Sequence, residues 1–190
     1  IGASGIDLSC CKAKRLLNVD SEEEGIFTVG CAGGIRVQAD IPMRREPKSG
    51  LCLDFKFQGI LGGHSGIEIN NGLANANALT GRFFMALKKV CDFEIITLSG
   101  GVKENVIPKD AQFSLLISQA DLSIVEKELA DFNAEIKAEY AATDPDANLV
   151  MASAGVADAY VLDENSKEKL ITALNLMPNG VQAMCADLPG

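Results

Sequence analysis

Histidine is almost missing from this sequence: His64 is the only one among 190 residues. One imidazole cannot build a catalytic metal site alone, because such a site takes about three protein ligands. Cysteine does not fill the gap. Cys10, Cys11, Cys31, Cys52, Cys91 and Cys185 make no CxxC pair and match no zinc-knuckle spacing. Two of them are adjacent, which disfavours a regular disulfide framework, so reduced thiols and a cytoplasmic location are expected. Positive charge is also short: 17 Lys and Arg against 26 Asp and Glu leave a net charge of −9, with a pI near 4.6. With no basic cluster to override that average, nucleic acid is not expected as a partner. Aromatic residues are only 5% of the chain and do not pair along strands, which excludes a base-stacking RNA-binding sheet. No apolar run approaches the roughly 20 residues that span a bilayer, and no charged-then-apolar signal segment opens the sequence, so no membrane partner is expected.

What is present is an aliphatic core. Hydrophobic residues make up 47% of the chain, enough for one domain, or one domain with pieces of a second. Ile1 begins in mid-pattern and Leu188-Pro189-Gly190 stops without a closing element, so the sequence reads as a piece of a longer protein.

Residues 1–34 have α/β character. Two short apolar runs, Arg15 to Val19 and Ile26 to Val29, suit buried strands, and Gly30-Cys31-Ala32-Gly33-Gly34 follows the second. The first ends in Asp20-Ser21-Glu22-Glu23-Glu24-Gly25. Asp20 and Glu23 have the spacing of a capping box on a solvated turn. Asp20 is also a hard carboxylate at the carboxyl end of a strand, where open α/β sheets place ligands and where a metal can be held.

From Ile35 the pattern becomes α+β. Leu51, Leu53, Phe55 and Phe57 alternate with polar residues in a half-buried strand. A helix is predicted from Asn70 to Val90, with Leu73, Ala76, Leu79, Phe83, Leu87 and Val90 on its buried side. A strand follows over Asp92 to Ser99, then a turn at Gly100-Gly101. Asn105-Val106-Ile107-Pro108 precedes a strand over Ala111 to Ser118, and Pro108, which lacks a ladder donor, leaves Asn105 outside it. Ser123 and Glu126 are spaced as a capping box for a helix burying Leu122, Val125, Leu129, Phe132, Ile136 and Tyr140. Thr143-Asp144-Pro145-Asp146 ends that helix. A strand over Asn148 to Ser153, a helix over Asp163 to Leu176 and the start of a strand over Val181 to Cys185 complete the pattern. The fold expected is α+β: a four-stranded antiparallel sheet with two helices on one face, ferredoxin-like, flanked at both ends by short α/β fragments.

His64 lies in Gly62-Gly63-His64-Ser65-Gly66, between the predicted strand and helix. The spacing places it on a strand-to-helix turn, at the mouth of a helix N-terminus that favours negative charge. Imidazole is the side chain best suited to donating a hydrogen bond or a proton near neutral pH, and the flanking glycines admit another molecule closely.

Taken in order, Asp20 to Gly25, Val29 to Gly34, the GGHSG segment, Asn75-Ala76-Asn77, Gly100-Gly101, Asn105 to Pro108 and Pro178-Asn179-Gly180-Val181 resemble the aminoacyl-histidine dipeptidase (Xaa-His dipeptidase, peptidase D) family of di-zinc metallopeptidases. The resemblance implies an α/β catalytic domain interrupted by a lid of the layout just described, often used for dimerisation. It divides the chain into a catalytic-domain fragment at 1–34, a lid and dimerisation domain at 35–178, and re-entry into the catalytic domain at 179–190. It also implies that Asp20 is a terminal metal ligand, that His64 stabilises the tetrahedral intermediate, and that Asn105 contacts the substrate. The family's remaining ligands and its glutamate pair would fall outside the chain. The expectation is therefore a parent dipeptidase with two zinc ions, a dipeptide substrate and a homodimer through the lid. The piece itself, which partners the rest of its own catalytic domain, should be metal-free and inactive. A free-standing ferredoxin-like module that binds a small ligand or self-associates is the alternative, since fold does not fix function.

Overall fold

The alternation of Leu51, Leu53, Phe55 and Phe57 becomes the centre of a sheet in the computed structural model, which describes residues 7, 9, 11–15, 24–25 and 33–184. The chain forms two compact units, Ile1–Ala39 and Asp40–Gly190. In the first, residues 33–39 run without helix or strand. Asp20, its proposed capping partner Glu23 and most of the two apolar runs lie outside the described residues.

In the second unit the described elements are β1 Arg45–Gln58, β2 Gly63–His64, α1 Ala76–Leu87, β3 Phe93–Gly100, β4 Val106–Ile107, β5 Ala111–Ile117, α2 Leu122–Glu139, β6 Asn148–Leu162 and α3 Glu164–Leu176. Among the described residues four strands pair antiparallel in the order β3-β5-β1-β6, and β2 pairs with β4 apart from them. This is the ferredoxin-like order: β1 and β3, joined through α1, are separated in the sheet by β5. The fold is thus the expected α+β arrangement, with α3 as a third helix.

One face of the sheet is covered. Leu53, Phe55, Phe57, Phe113 and Leu115 pack under Leu79, Phe83, Phe84 and Leu87 of α1, Val125, Phe132 and Ile136 of α2, and Ile171 of α3. The rings interlock: Phe55 stacks on Phe113 at 4.9 Å, Phe84 meets Phe113 edge-on at 4.9 Å, and Phe83 lies 5.2 Å from Phe132. Such pairs add specific geometry to a large buried apolar area. The alternate residues Asp54, Lys56, Gln112 and Ser99 are exposed on the opposite face, as period-2 alternation requires. No described helix is long and apolar enough to cross a membrane.

Several expected boundaries are corrected. The first helix starts at Ala76, not Asn70, because Ile69–Asn71 closes as a separate 3-10 turn and Asn75 caps the helix. The Ser123–Glu126 capping box does not form. A 3-10 turn over Gln119–Asp121 runs directly into α2, and Ser118 caps it by accepting from the Ala120 N–H, which places Ser123 inside the helix. The strand expected to stop at Ser153 continues to Leu162. Its small residues pair with the equally weak segment Arg45–Gly50, through a register shift at Cys52/Leu53. This ribbon is tied to β3: Lys48 bonds Glu94 at 2.6 Å, and Arg45 Nη1 donates to the Ile96 carbonyl at 2.6 Å. Residues 181–184 form no strand, having no neighbouring strand among the described residues to pair with.

Candidate functional site

The connection between β1 and α1 carries His64, and a short ladder fixes where it sits. Gly63 pairs with Ile107 and His64 with Val106. The Ser65 N–H then donates to the Asn105 carbonyl at 3.1 Å. The two residues singled out in sequence, 41 positions apart, are therefore brought side by side, both exposed. Ile107 in this ladder is buried, 6% exposed, and Asn105 lies outside the Ala111–Ile117 strand, as expected from Pro108.

The imidazole is oriented by its own turn. Nδ1 accepts hydrogen bonds from the Gly66 and Ile67 N–H groups at 3.1 and 3.2 Å. A neutral ring that accepts at Nδ1 carries its proton on Nε2, so the exposed edge is a hydrogen-bond donor. Glu68, which the sequence reading overlooked, closes the turn from both sides. Its Oε2 accepts from the His64 N–H at 2.7 Å, and its own N–H donates to the His64 carbonyl at 3.0 Å. The i,i+4 spacing of a carboxylate after the GGHSG segment was the available signal.

His64 does not sit at a helix mouth, which corrects the sequence expectation. It is on β2, and the first amides of α1 are capped elsewhere. Asn75 Oδ1 accepts from the Asn77 and Ala78 N–H groups at 3.0 and 3.3 Å, and the Ala76 N–H donates to the Pro108 carbonyl at 2.8 Å. The cap also gathers the other segments of the ordered motif series. Asn75 Nδ2 donates to Asn179 Oδ1 at 2.7 Å, and the Asn77 side chain packs against Gly100.

A second overlooked residue is Asp144, fully buried at 0% exposure. Its Oδ1 accepts from the Leu61 N–H at 2.7 Å and its Oδ2 from the Ala74 N–H at 2.9 Å. In sequence, Thr143-Asp144-Pro145-Asp146 signals only the end of a helix. Asp20, the expected metal ligand, lies outside the described residues. Among the described residues no three His, Cys, Asp or Glu side chains are grouped to hold a metal, and Cys11, Cys52 and Cys91 are free thiols. The described residues therefore do not fit a zinc site.

Residues 56–144 match the family model described as peptidase dimerisation domain, M20_dimer. The cytosol non-specific dipeptidase of Escherichia coli K12 is 34% identical over 183 residues, covering 95% of this chain and 37% of that protein. The crystal structure of the aminoacylhistidine dipeptidase from Vibrio alginolyticus superposes with a TM-score of 0.68 at 29% identity, covering 80% of this chain and 31% of that one. The chain thus spans about a third of the length of these relatives, 37% and 31%. The order of strands, the helices on one face and these matches agree: residues 56–144 carry the dimerisation domain of M20 peptidases, and along most of its length the chain is similar to part of a dipeptidase.

Proposed function

We propose that the chain is the lid portion of a dipeptidase that hydrolyses Xaa-His and similar dipeptides, and that His64 acts on the substrate. The observation that carries this reading is the pairing of β2 with β4. It sets His64 beside Asn105 and leaves Nε2–H as an exposed donor. A carbonyl under attack develops negative charge on its oxygen. A positioned donor stabilises that oxyanion more than the ground-state carbonyl. In this scheme His64 Nε2–H is the donor and Asn105 holds the substrate beside it.

The two zinc ions of the proposed parent would supply an activated water. Asp20 is the chain's proposed contribution to holding them, and the remaining ligands would come from the rest of the catalytic domain. Residues 1–34 and 179–190 are assigned to that domain, 35–178 to the lid, and the piece alone is proposed to be inactive and metal-free. Pairing of two copies through the lid is supported by β6, which lies at the margin of the sheet with Val156 and Tyr160 exposed. The cytoplasmic location rests on the name of the Escherichia coli relative and on the free thiols. The two relatives' names differ on substrate, one non-specific and one aminoacylhistidine. The ordered motif series favours the latter.

The test is steady-state hydrolysis of a Xaa-His dipeptide by the intact zinc-loaded protein, wild type against His64→Ala. Loss of an oxyanion donor typically lowers kcat by about 100-fold or more, and KM should stay nearly constant. Unchanged kinetics would reduce His64 to a loop residue. Equal rates on dipeptides lacking a carboxyl-terminal histidine would replace the Xaa-His assignment with a broad one.

A further inference from the structure

We propose that Asp144 is a positioning residue for His64, acting as a clasp across the two stems of the loop that carries it. This deepens the reading of His64 given above and rests on it. The connection from Gln58 to Ala76 is long and holds only β2 and one 3-10 turn. Its stems meet at one carboxylate, with Leu61 N–H on Oδ1 at 2.7 Å and Ala74 N–H on Oδ2 at 2.9 Å.

The carboxylate is itself fixed. The Asp144 N–H donates to the Tyr140 carbonyl at 2.9 Å and its carbonyl accepts from the Ala147 N–H at 2.9 Å. The clasp is therefore referenced to the end of α2 and the start of β6, not to the loop. Thr143 adds a weaker tie, its hydroxyl donating to the Gly72 carbonyl at 3.4 Å. Beyond the stems, the ladder to β4 and Glu68 orient the ring within its turn. Neither connects the stems to each other.

A fully buried carboxylate is costly to desolvate unless it is well bonded, so its use here needs a return. Two stems tied to one rigid group cannot slide independently, and a displacement of about 1 Å at a reacting group can cost on the order of 100-fold in rate. Asp144→Asn keeps the shape but presents one acceptor oxygen and turns an amide N–H₂ toward the other stem's N–H. One stem is thereby released.

The experiment uses the intact zinc-loaded protein and a Xaa-His dipeptide, with Asp144→Asn, His64→Ala and the double variant. The expected result is a fall in kcat of about tenfold or more for Asp144→Asn with KM within about twofold, and no further fall when it is added to His64→Ala. A merely structural role would lower the residual rate of His64→Ala by the same factor, and that result would overturn the proposal. So would wild-type kcat in Asp144→Asn while His64→Ala collapses. Wild-type kcat in His64→Ala would instead sink the oxyanion reading, and this proposal with it. Should Asp144→Asn fold poorly, hydrogen exchange on the wild-type protein decides. The Leu61 and Ala74 amides should exchange at least about 100-fold more slowly than that of exposed Asn70. Equal exchange at the three positions would overturn the clasp.

Discussion

Gly59→Ala tests how tightly the loop stem is held against the segment that carries Asp144. Gly59 follows β1 with φ +73°, and a Cβ there would lie 1.9 Å from the Asp146 carbonyl oxygen and 2.4 Å from its carbon. The left-handed backbone alone costs an alanine about 1–2 kcal/mol, partly offset by about 0.4–1 kcal/mol from the stiffer unfolded chain. The collision is a separate cost. Backbone meets backbone, no side chain can swing aside, and roughly 1 Å of movement is needed to restore contact distance. That movement strains the Asp144 bonds to Leu61 and Ala74, and each buried polar group left unmet costs about 1–3 kcal/mol. The sum is about 3–5 kcal/mol of lost stability. Gly72→Ala is the control: φ is +67° and nothing lies within 4 Å of the added carbon, so only the backbone term remains, about 1 kcal/mol or less. Urea unfolding followed by helical circular dichroism should separate the two variants by at least about 2 kcal/mol. Midpoints equivalent to within about 0.5 kcal/mol would refute the argument, because backbone strain would then explain both.

Two further outcomes follow from titrating groups. Asp163 caps α3, accepting from the Ser166 N–H at 2.8 Å, and hydrogen bonds from the Ser166 side chain and backbone hold its carboxyl below the usual 3.8. A depressed carboxyl stabilises the fold fully above its unfolded pKa and loses that contribution as pH falls through the folded one. The Tm difference between wild type and Asp163→Ala should therefore be constant near neutrality and close below about pH 3.8; a pH-independent gap would refute the cap's ionic character. Cys91 is pushed up to about 11, first by burial and then by the carboxylates of Asp121, Asp92 and Glu128. Since the thiolate is the nucleophile, iodoacetamide at pH 8 should label Cys91 about 100-fold more slowly than a thiol of ordinary pKa. Peptide mapping against exposed Cys11 checks this, and equal labelling would show that Cys91 is neither shielded nor raised.

The fold was largely legible because its strongest elements are periodic. Leu51 to Phe57, the stripe from Val125 to Ile136, and the helix expected over Asp163 to Leu176 all appear in sequence as spacing, and the structure puts them where that spacing requires, with Asp163 as the cap of α3. The errors fall where periodicity is weak and pairing decides. Arg45 to Gly50 and Ala154 to Leu162 carry no alternation, yet each supplies the other's ladder. At the start of α2, Ser118 displaced Ser123 as the cap because a 3-10 turn had already used the first amides.

The candidate site divides along the same line. His64 and Asn105 were legible from residue type and motif order, and the short ladder between β2 and β4 explains why two distant segments share one corner. Asp144 carried no such sign, because a side chain that ties two stems together has neither a period nor a fixed spacing from them. Its role is set by where α2 ends. Tyr140 closes that helix, and the turn through Ala147 aims the carboxylate inward as β6 begins. α2 is in turn seated on the sheet by its buried residues Val125, Phe132 and Ile136. The orientation of one exposed imidazole is thus referenced to the hydrophobic core through a chain of packing and hydrogen bonds. An isolated loop with the same GGHSG segment would lack that reference and hold its histidine in many positions.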